Sequence, residues 1–207
     1  TTSTMIYHIL KAAGKKVALI STVAAFIGDE AIDTGFHVTS PSPFALQRLL
    51  RKIAGLGYEF VVLEVTSHGI YQHRLFGISP EVAVLTNITH EHLDYHPSYV
   101  QYLNTKTSFL ARAKIAVINK SDKSYKMVHE LLRKKDKRVV EYEFRTADSQ
   151  MRAVLAKTIH EPYNRENALA AITACQQLHI SLNTCSKAIQ SFKNIVGRME
   201  DIVVTVS

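Results

Sequence analysis

The chain has 207 residues, 46% of them hydrophobic, enough to bury one sizeable core and matching a single domain with at most a small appendage. Its 25 lysines and arginines against 18 acids give a formal charge of +7, but much of that excess is one run, RKKDKR at 133–138, which reads as a solvated helix end. No aromatic residues interleave it, so nucleic acid is set aside as a partner, while an anionic small substrate fits the charge. No apolar run is long enough to cross a membrane and no signal peptide is visible, so the expectation is a cytoplasmic globular protein with no membrane contact. Cys175 and Cys185 lack metal-type spacing and read as core packing in a reducing compartment.

In chain order, TTSTMIYHILKAAGKK opens directly on a helical pattern, with Met5, Ile9 and Ala12/Ala13 on one side and Gly14 ending it. A start on threonines reads as a cut chain, or one whose preceding residues are not represented. An apolar strand follows at 17–20. PFALQRLLRKIA, 43–54, reads as a helix with proline in its first turn and Gly55/Gly57 as its terminator. Strands at 59–65 and 81–87 lead to a helix at 98–111. A strand at 114–119, a helix at 121–134 and a strand at 138–142 follow. The final third reads as helices at 164–178 and 182–192, a turn at Gly197 and a short strand-like run at 201–206. Continuous β-branched runs separated by helices mean strands covered on both faces, hence an α/β fold with a mostly parallel sheet flanked by helices.

In such a sheet ligands gather at the carboxyl ends of the strands. After one strand comes Glu64-Val65-Thr66-Ser67-His68-Gly69, and after the next Asn87-Ile88-Thr89-His90-Glu91-His92. Glu64 is expected inside an apolar strand. A carboxylate there is costly without compensation, so it is either a paired core acid or an oxygen ligand for Mg²⁺. The stretch Thr89 to Asn104 crowds three histidines, His90, His92 and His96, with Glu91 and Asp94. Neither Cys nor HExxH spacing supports zinc, so magnesium is preferred. Lys106 falls on an apolar helical stripe with Tyr99, Tyr102/Leu103 and Phe109/Leu110. It must snorkel, pair with an acid, or lose its charge; a neutral ε-amine can take up CO₂ as a carbamate.

The segment from Glu64 to Leu110 resembles the Mur ligases, in the branch that adds the third amino acid to UDP-N-acetylmuramoyl-dipeptide. The likeness is carried by S-H-G-x-x-Q-x-R, by T-N-x-x-x-E-H-L-D-Y-H and by a lysine 14 residues after His92. It extends to Tyr163-Asn164-Arg165-Glu166-Asn167-Ala168 and to Gly197-Arg198-Met199-Glu200. It implies a P-loop-type ATP-binding central domain over 1–196, then a hinge and the start of a further domain over 197–207. The N- and C-terminal domains would be missing. It also implies an ATP- and Mg²⁺-dependent amide-bond ligase that phosphorylates a carboxylate of UDP-N-acetylmuramoyl-L-alanyl-D-glutamate. An amino acid then attacks the acyl phosphate, in peptidoglycan precursor synthesis, with the protein acting as a monomer.

Carried over residue by residue, Glu64 and His92 would be magnesium ligands and Lys106 a carbamylated lysine. Thr39, Ser40, Ser67 and Arg74 would contact the muropeptide, with His68 a less assignable neighbour. Asn164 and Asn167 would contact adenine, Arg198 the nucleotide, and Thr1 or Thr2 the metal's surroundings. Thr66 and Glu91 depart from the family's usual Ser and Asp. Of the Gly-x-x-Gly-Lys-Thr phosphate loop only the last flank is matched, by Thr1-Thr2-Ser3-Thr4, so these residues alone are expected to be inactive. A folylpolyglutamate synthase-like ligase, a catalytically incompetent nucleotide-binding module, an inert α/β domain with a buried Glu64–Lys106 pair and a metal-dependent hydrolase are the alternatives.

Overall fold

A computed structural model describes residues 1–21, 25–28, 30–32, 42–88 and 98–192. Helix α1, Thr2–Ala12, buries Met5, Ile9 and Leu10. Ala12 is exposed, so the apolar stripe turns through Leu10 instead. Gly14, at φ +74°, supplies the left-handed residue that ends the helical segment. All four residues of strand β1, Val17–Ile20, are buried, as an interior strand covered on both faces requires.

Strands β2, Ala25–Ile27, and β3, Glu30–Ile32, form an antiparallel hairpin that the sequence reading did not anticipate. Its turn includes Gly28 at φ +67°, where an added Cβ would lie 3.0 Å from the Tyr58 hydroxyl oxygen. Helix α2, Pro43–Gly55, begins with Ser42 Oγ accepting from the Ala45 N–H and seats Leu46 and Ile53 in the core. Strand β4, Phe60–Leu63, pairs in parallel with β1. The first sheet therefore runs β3-β2-β1-β4.

A short helix, α3, Ser67–Tyr71, is capped by Thr66 and was likewise unforeseen. Strand β5, Val82–Leu85, precedes helix α4, Tyr99–Leu110. Strand β6, Ile115–Asn119, helix α5, Tyr125–Arg133, and strand β7, Arg138–Tyr142, complete a second, wholly parallel sheet, β5-β6-β7. Three helices follow: α6, Ser149–Thr158, capped by Asp148, α7, Pro162–Gln177, and α8, Leu182–Gln190. Helix α6 had no counterpart in the sequence reading. The mostly parallel α/β architecture is as expected, but among the described residues the strands fall into two sheets rather than one, with β4 and β5 as facing end strands.

Alternation along the strands divides the core. Val17 and Leu19 of β1, Val62 of β4, and Val82 and Val84 of β5 pack with α1, α6, α7 and α8. Ala18 and Ile20 face α2 and Phe109, and Ala83 and Leu85 face α4 and α5. Cys175 and Cys185 are free, buried thiols in the first of these clusters; burial raises both, Cys185 to about 11. No described helix is long and apolar enough to cross a membrane.

Candidate active site

A cleft of about 610 Å³ opens between β4 and β5, and Thr1, Thr2, Glu64, Asn87, Lys106 and Asn167 all line it. They arrive by five elements, α1, β4, β5, α4 and α7. Thr1 and Thr2 stand at the start of α1, where helix N–H groups are unsatisfied by the helix itself. Asn167 lies in the second turn of α7. Thr2 Oγ1 donates to Asn167 Oδ1 at 3.1 Å, and Asn167 Nδ2 donates to Asn164 Oδ1 at 3.3 Å. That chain of bonds ties the two helix starts together across the cleft.

Glu64 requires a correction. It is not inside β4 but the first residue beyond it, half-buried, although its N–H still donates to Ile20 O at 2.8 Å. The ladder thus continues one bond past the strand and delivers the carboxylate to the strand's carboxyl end, where a chain leaving the sheet exposes side chains to a ligand.

Lys106 is half-buried on α4, as the helical period required. Its Nζ donates to Asn87 O at 3.3 Å and lies 4.6 Å from the centre of the Tyr102 ring. Burial pulls its pKa down to about 8, with Asp122 opposing the shift. Asp122 went unnoticed in the sequence. Its Oδ1 accepts from the N–H groups of Ile88 and Ser124, at 3.4 and 3.0 Å, and from the Ser124 hydroxyl. One carboxylate therefore anchors the chain leaving β5 and biases Lys106.

Unfolded lysine titrates near 10.4, so between about pH 8 and that value the unfolded chain holds the proton that the folded chain has released. Stability therefore rises with pH through that window, and the penalty for charging Lys106 is present in full below it. At neutral pH Lys106 therefore holds a larger share of neutral amine than an ordinary lysine does. Competitive acetylation followed by peptide mass spectrometry should show Lys106 labelling rising with an inflection near pH 8. An inflection at ordinary lysine values would contradict the burial described.

The structure does not bring every expected residue to the cleft. Ser67 is buried in the first turn of α3, Arg74 is half-buried and donates Nε–H to Gln72 Oε1 at 2.7 Å, and Asn164 reaches the cleft only through Asn167. Thr39, Ser40, His92 and Arg198 lie outside the described residues. Among the described residues no three of His, Cys, Asp and Glu cluster as a metal centre. What the cleft does gather, the Glu64 carboxylate, the threonine hydroxyls and the Asn87 segment, is an oxygen-rich set suited to a hard cation such as Mg²⁺.

The model of the Mur ligase middle domain matches residues 1–184. The chain belongs to the Mur ligase family. A UDP-N-acetylmuramoyl-L-alanyl-D-glutamate–2,6-diaminopimelate ligase of Clostridium botulinum is 34% identical over 219 aligned residues, covering 97% of this chain and 45% of its own length. A solved ligase of the same name shares the fold with a TM-score of 0.81 at 24% identity, over 97% of this chain and 45% of that one. The apo form of L. casei FPGS shares the fold more distantly, with a TM-score of 0.62 at 15% identity, over 92% of this chain and 59% of that one. This Mur ligase chain thus spans about half the length of these two diaminopimelate ligases.

Proposed function

We propose that this chain is the central, nucleotide-binding part of a longer cytoplasmic ligase that joins an amino acid to UDP-N-acetylmuramoyl-L-alanyl-D-glutamate in peptidoglycan precursor synthesis and works as a monomer. The observation that carries the reading is the meeting of Glu64, Lys106, Thr1, Thr2 and Asn167 in one cleft within a Mur ligase middle domain. The names of the relatives make 2,6-diaminopimelate the first amine to test.

Bound ATP and Mg²⁺ would supply the phosphoryl group that turns the substrate carboxylate into an acyl phosphate, and the charge neutralisation that lets two anions meet. Glu64 and His92 would hold the cation, with Thr1 or Thr2 beside it. Asn164 and Asn167 would take the adenine, Asn167 being preset by its bond to Thr2, and Arg198 would contact the nucleotide. Ser67, Arg74, Thr39 and Ser40 would hold the muropeptide. Lys106 would serve as its carbamate. The neutral amine adds CO₂ and releases one proton, giving an anion that can sit beside the metal, and its lowered pKa supports that chemistry at neutral pH.

The test is phosphate release by the product of the complete reading frame, with UDP-N-acetylmuramoyl-L-alanyl-D-glutamate, ATP, Mg²⁺ and each diamino acid in turn. Release that requires both the muropeptide and an amine is expected. Hydrolysis indifferent to both, or none with any amine, would overturn the reading.

A further inference from the structure

We propose that Asp122 is a positioning residue for the ligase reaction: it fixes the peptide group that joins Asn87 to Ile88, and that peptide in turn holds the Lys106 amine in the cleft. The inference rests on the reading above that Lys106 is a working group of a ligase.

Two bonds meet on one peptide. Lys106 Nζ donates to Asn87 O at 3.3 Å, and the Ile88 N–H donates to Asp122 Oδ1 at 3.4 Å. Asn87 O and the Ile88 N–H are opposite ends of a single planar group. The ammonium thus sits at the negative end of that peptide's dipole and the carboxylate at its positive end, an arrangement in which each bond polarises and strengthens the other. Turning the peptide would break both bonds at once. The acid is itself immobilised, because its Oδ1 also accepts from the Ser124 N–H at 3.0 Å and from the Ser124 hydroxyl, and Ser124 is a buried residue at the entry to α5. A turn that only started α5 would need no more than those two local bonds. The bond to Ile88 reaches across 34 residues of sequence, to a peptide that has no part in α5.

Asp122 meets its other neighbours from two further elements. Burial, then Asp122, raises the Tyr99 hydroxyl at the start of α4, and burial, Glu166 and Asp122 raise Tyr142 at the end of β7. The Tyr142 hydroxyl donates to Leu85 O, the last residue of β5, at 3.5 Å, so the chain leaving β5 is held first by a phenol and then, at Ile88, by the carboxylate. A lysine amine on its flexible four-carbon stem has no fixed place of its own. Tying Nζ to a peptide that cannot turn, 4.6 Å from the centre of the Tyr102 ring, gives it one. Placement of that kind matters to a reacting group, because a displacement of about 1 Å forfeits much of its rate advantage.

Nuclear magnetic resonance on the complete gene product, labelled with heavy nitrogen at isoleucine alone and with the Ile88 signal identified by Ile88→Val, tests this. As Lys106 gives up its proton, Asn87 O loses a charged donor and the Ile88 N–H becomes less polarised. Its amide proton should therefore move upfield with an inflection near pH 8, and Lys106→Met should abolish that inflection. Asp122→Asn keeps an acceptor for Ile88 and Ser124 but not the charge, so it should fold normally while the inflection of Lys106 acetylation falls below that of the natural protein. Asp122→Ala should lower turnover about tenfold or more, the usual loss when a group that orients a working residue is removed, in kcat rather than KM, and Asp122→Asn should recover most of it. An Ile88 signal indifferent to pH through that range, one that moves equally in Lys106→Met, or a Lys106 inflection unchanged in Asp122→Asn would overturn the proposal. So would an Asp122→Ala protein as active as the natural one; if that variant does not fold, the titrations of the natural protein and of Asp122→Asn decide. Turnover and titration are separate readouts. An active ligase without the Ile88 inflection overturns the role of Asp122 alone, and the inflection in a protein without ligase turnover leaves the chain of bonds standing and overturns the ligase reading.

Discussion

Replacing Lys106 by alanine in the full-length ligase is expected to lower turnover by roughly 10²–10³-fold, the loss that follows removal of one preorganised charge-stabilising group. Its melting temperature should stay nearly unchanged. The two outcomes separate because Lys106 contributes little to folding. Truncation forfeits its contact with the Tyr102 ring, about 0.5–1 kcal/mol for such a pair, and its hydrogen bond to Asn87 O, about 0.5–1.5 kcal/mol, but it also removes the cost of desolvating an ammonium, the leading cause of its lowered pKa. A variant that fails to fold would assign Lys106 to structure. If the active form is the carbamate, stripping CO₂ and bicarbonate from the buffer should slow the natural enzyme, bicarbonate should restore it, and Lys106→Ala should respond to neither. Natural enzyme indifferent to CO₂ would leave the amine itself as the working group.

The legible part of the fold was the part written in long patterns. Strands β1, β4, β5, β6 and β7 are runs of β-branched residues, and α1, α2, α4, α7 and α8 keep a helical apolar period. The β2–β3 hairpin was missed because each strand is three residues long, too short for alternation to register; Gly28 at φ +67° was its one strong signal. Helix α6 is signalled by the Asp148 cap and by Met151 and Leu155 four residues apart, but these are its only buried residues among ten, too few for a helical apolar period to stand out.

The candidate site is legible in part: Glu64, Lys106, Thr1, Thr2 and Asn167 line the cleft, whereas Ser67 and Arg74, which carry an equally clear motif, do not. Periodicity placed Lys106 on the inner face of α4, and the order of strands put Glu64 near a carboxyl end, one residue off the strand it was assigned to. Asp122 could not be found this way. It lies in the loop after β6, and only the parallel pairing of β6 with β5 brings it to Ile88 and Lys106. The same holds for the Thr2–Asn167 bond, whose partners are 165 residues apart in sequence and meet because α1 packs along α7.

That helix contact carries the second large effect. Ile9→Ala should destabilise the protein by about 2–5 kcal/mol in urea denaturation, a large share of the roughly 5–15 kcal/mol that holds a domain folded. Ile9 is 0% exposed and belongs to one cluster with Ile172, Cys175, Ala188 and Ile189, so the lost atoms leave a cavity among three helices rather than a surface dent. Phe44→Ala is the control, since Phe44 is 85% exposed and its loss should fall within about 0.5 kcal/mol. A cost for Ile9→Ala below about 1 kcal/mol would mean that α1 is not seated as described. Because α1 begins with Thr1 and Thr2, a loosened helix also slackens the Thr2–Asn167 bond. Nucleotide affinity of the full-length variant should therefore weaken before global unfolding, while Phe44→Ala leaves it unchanged.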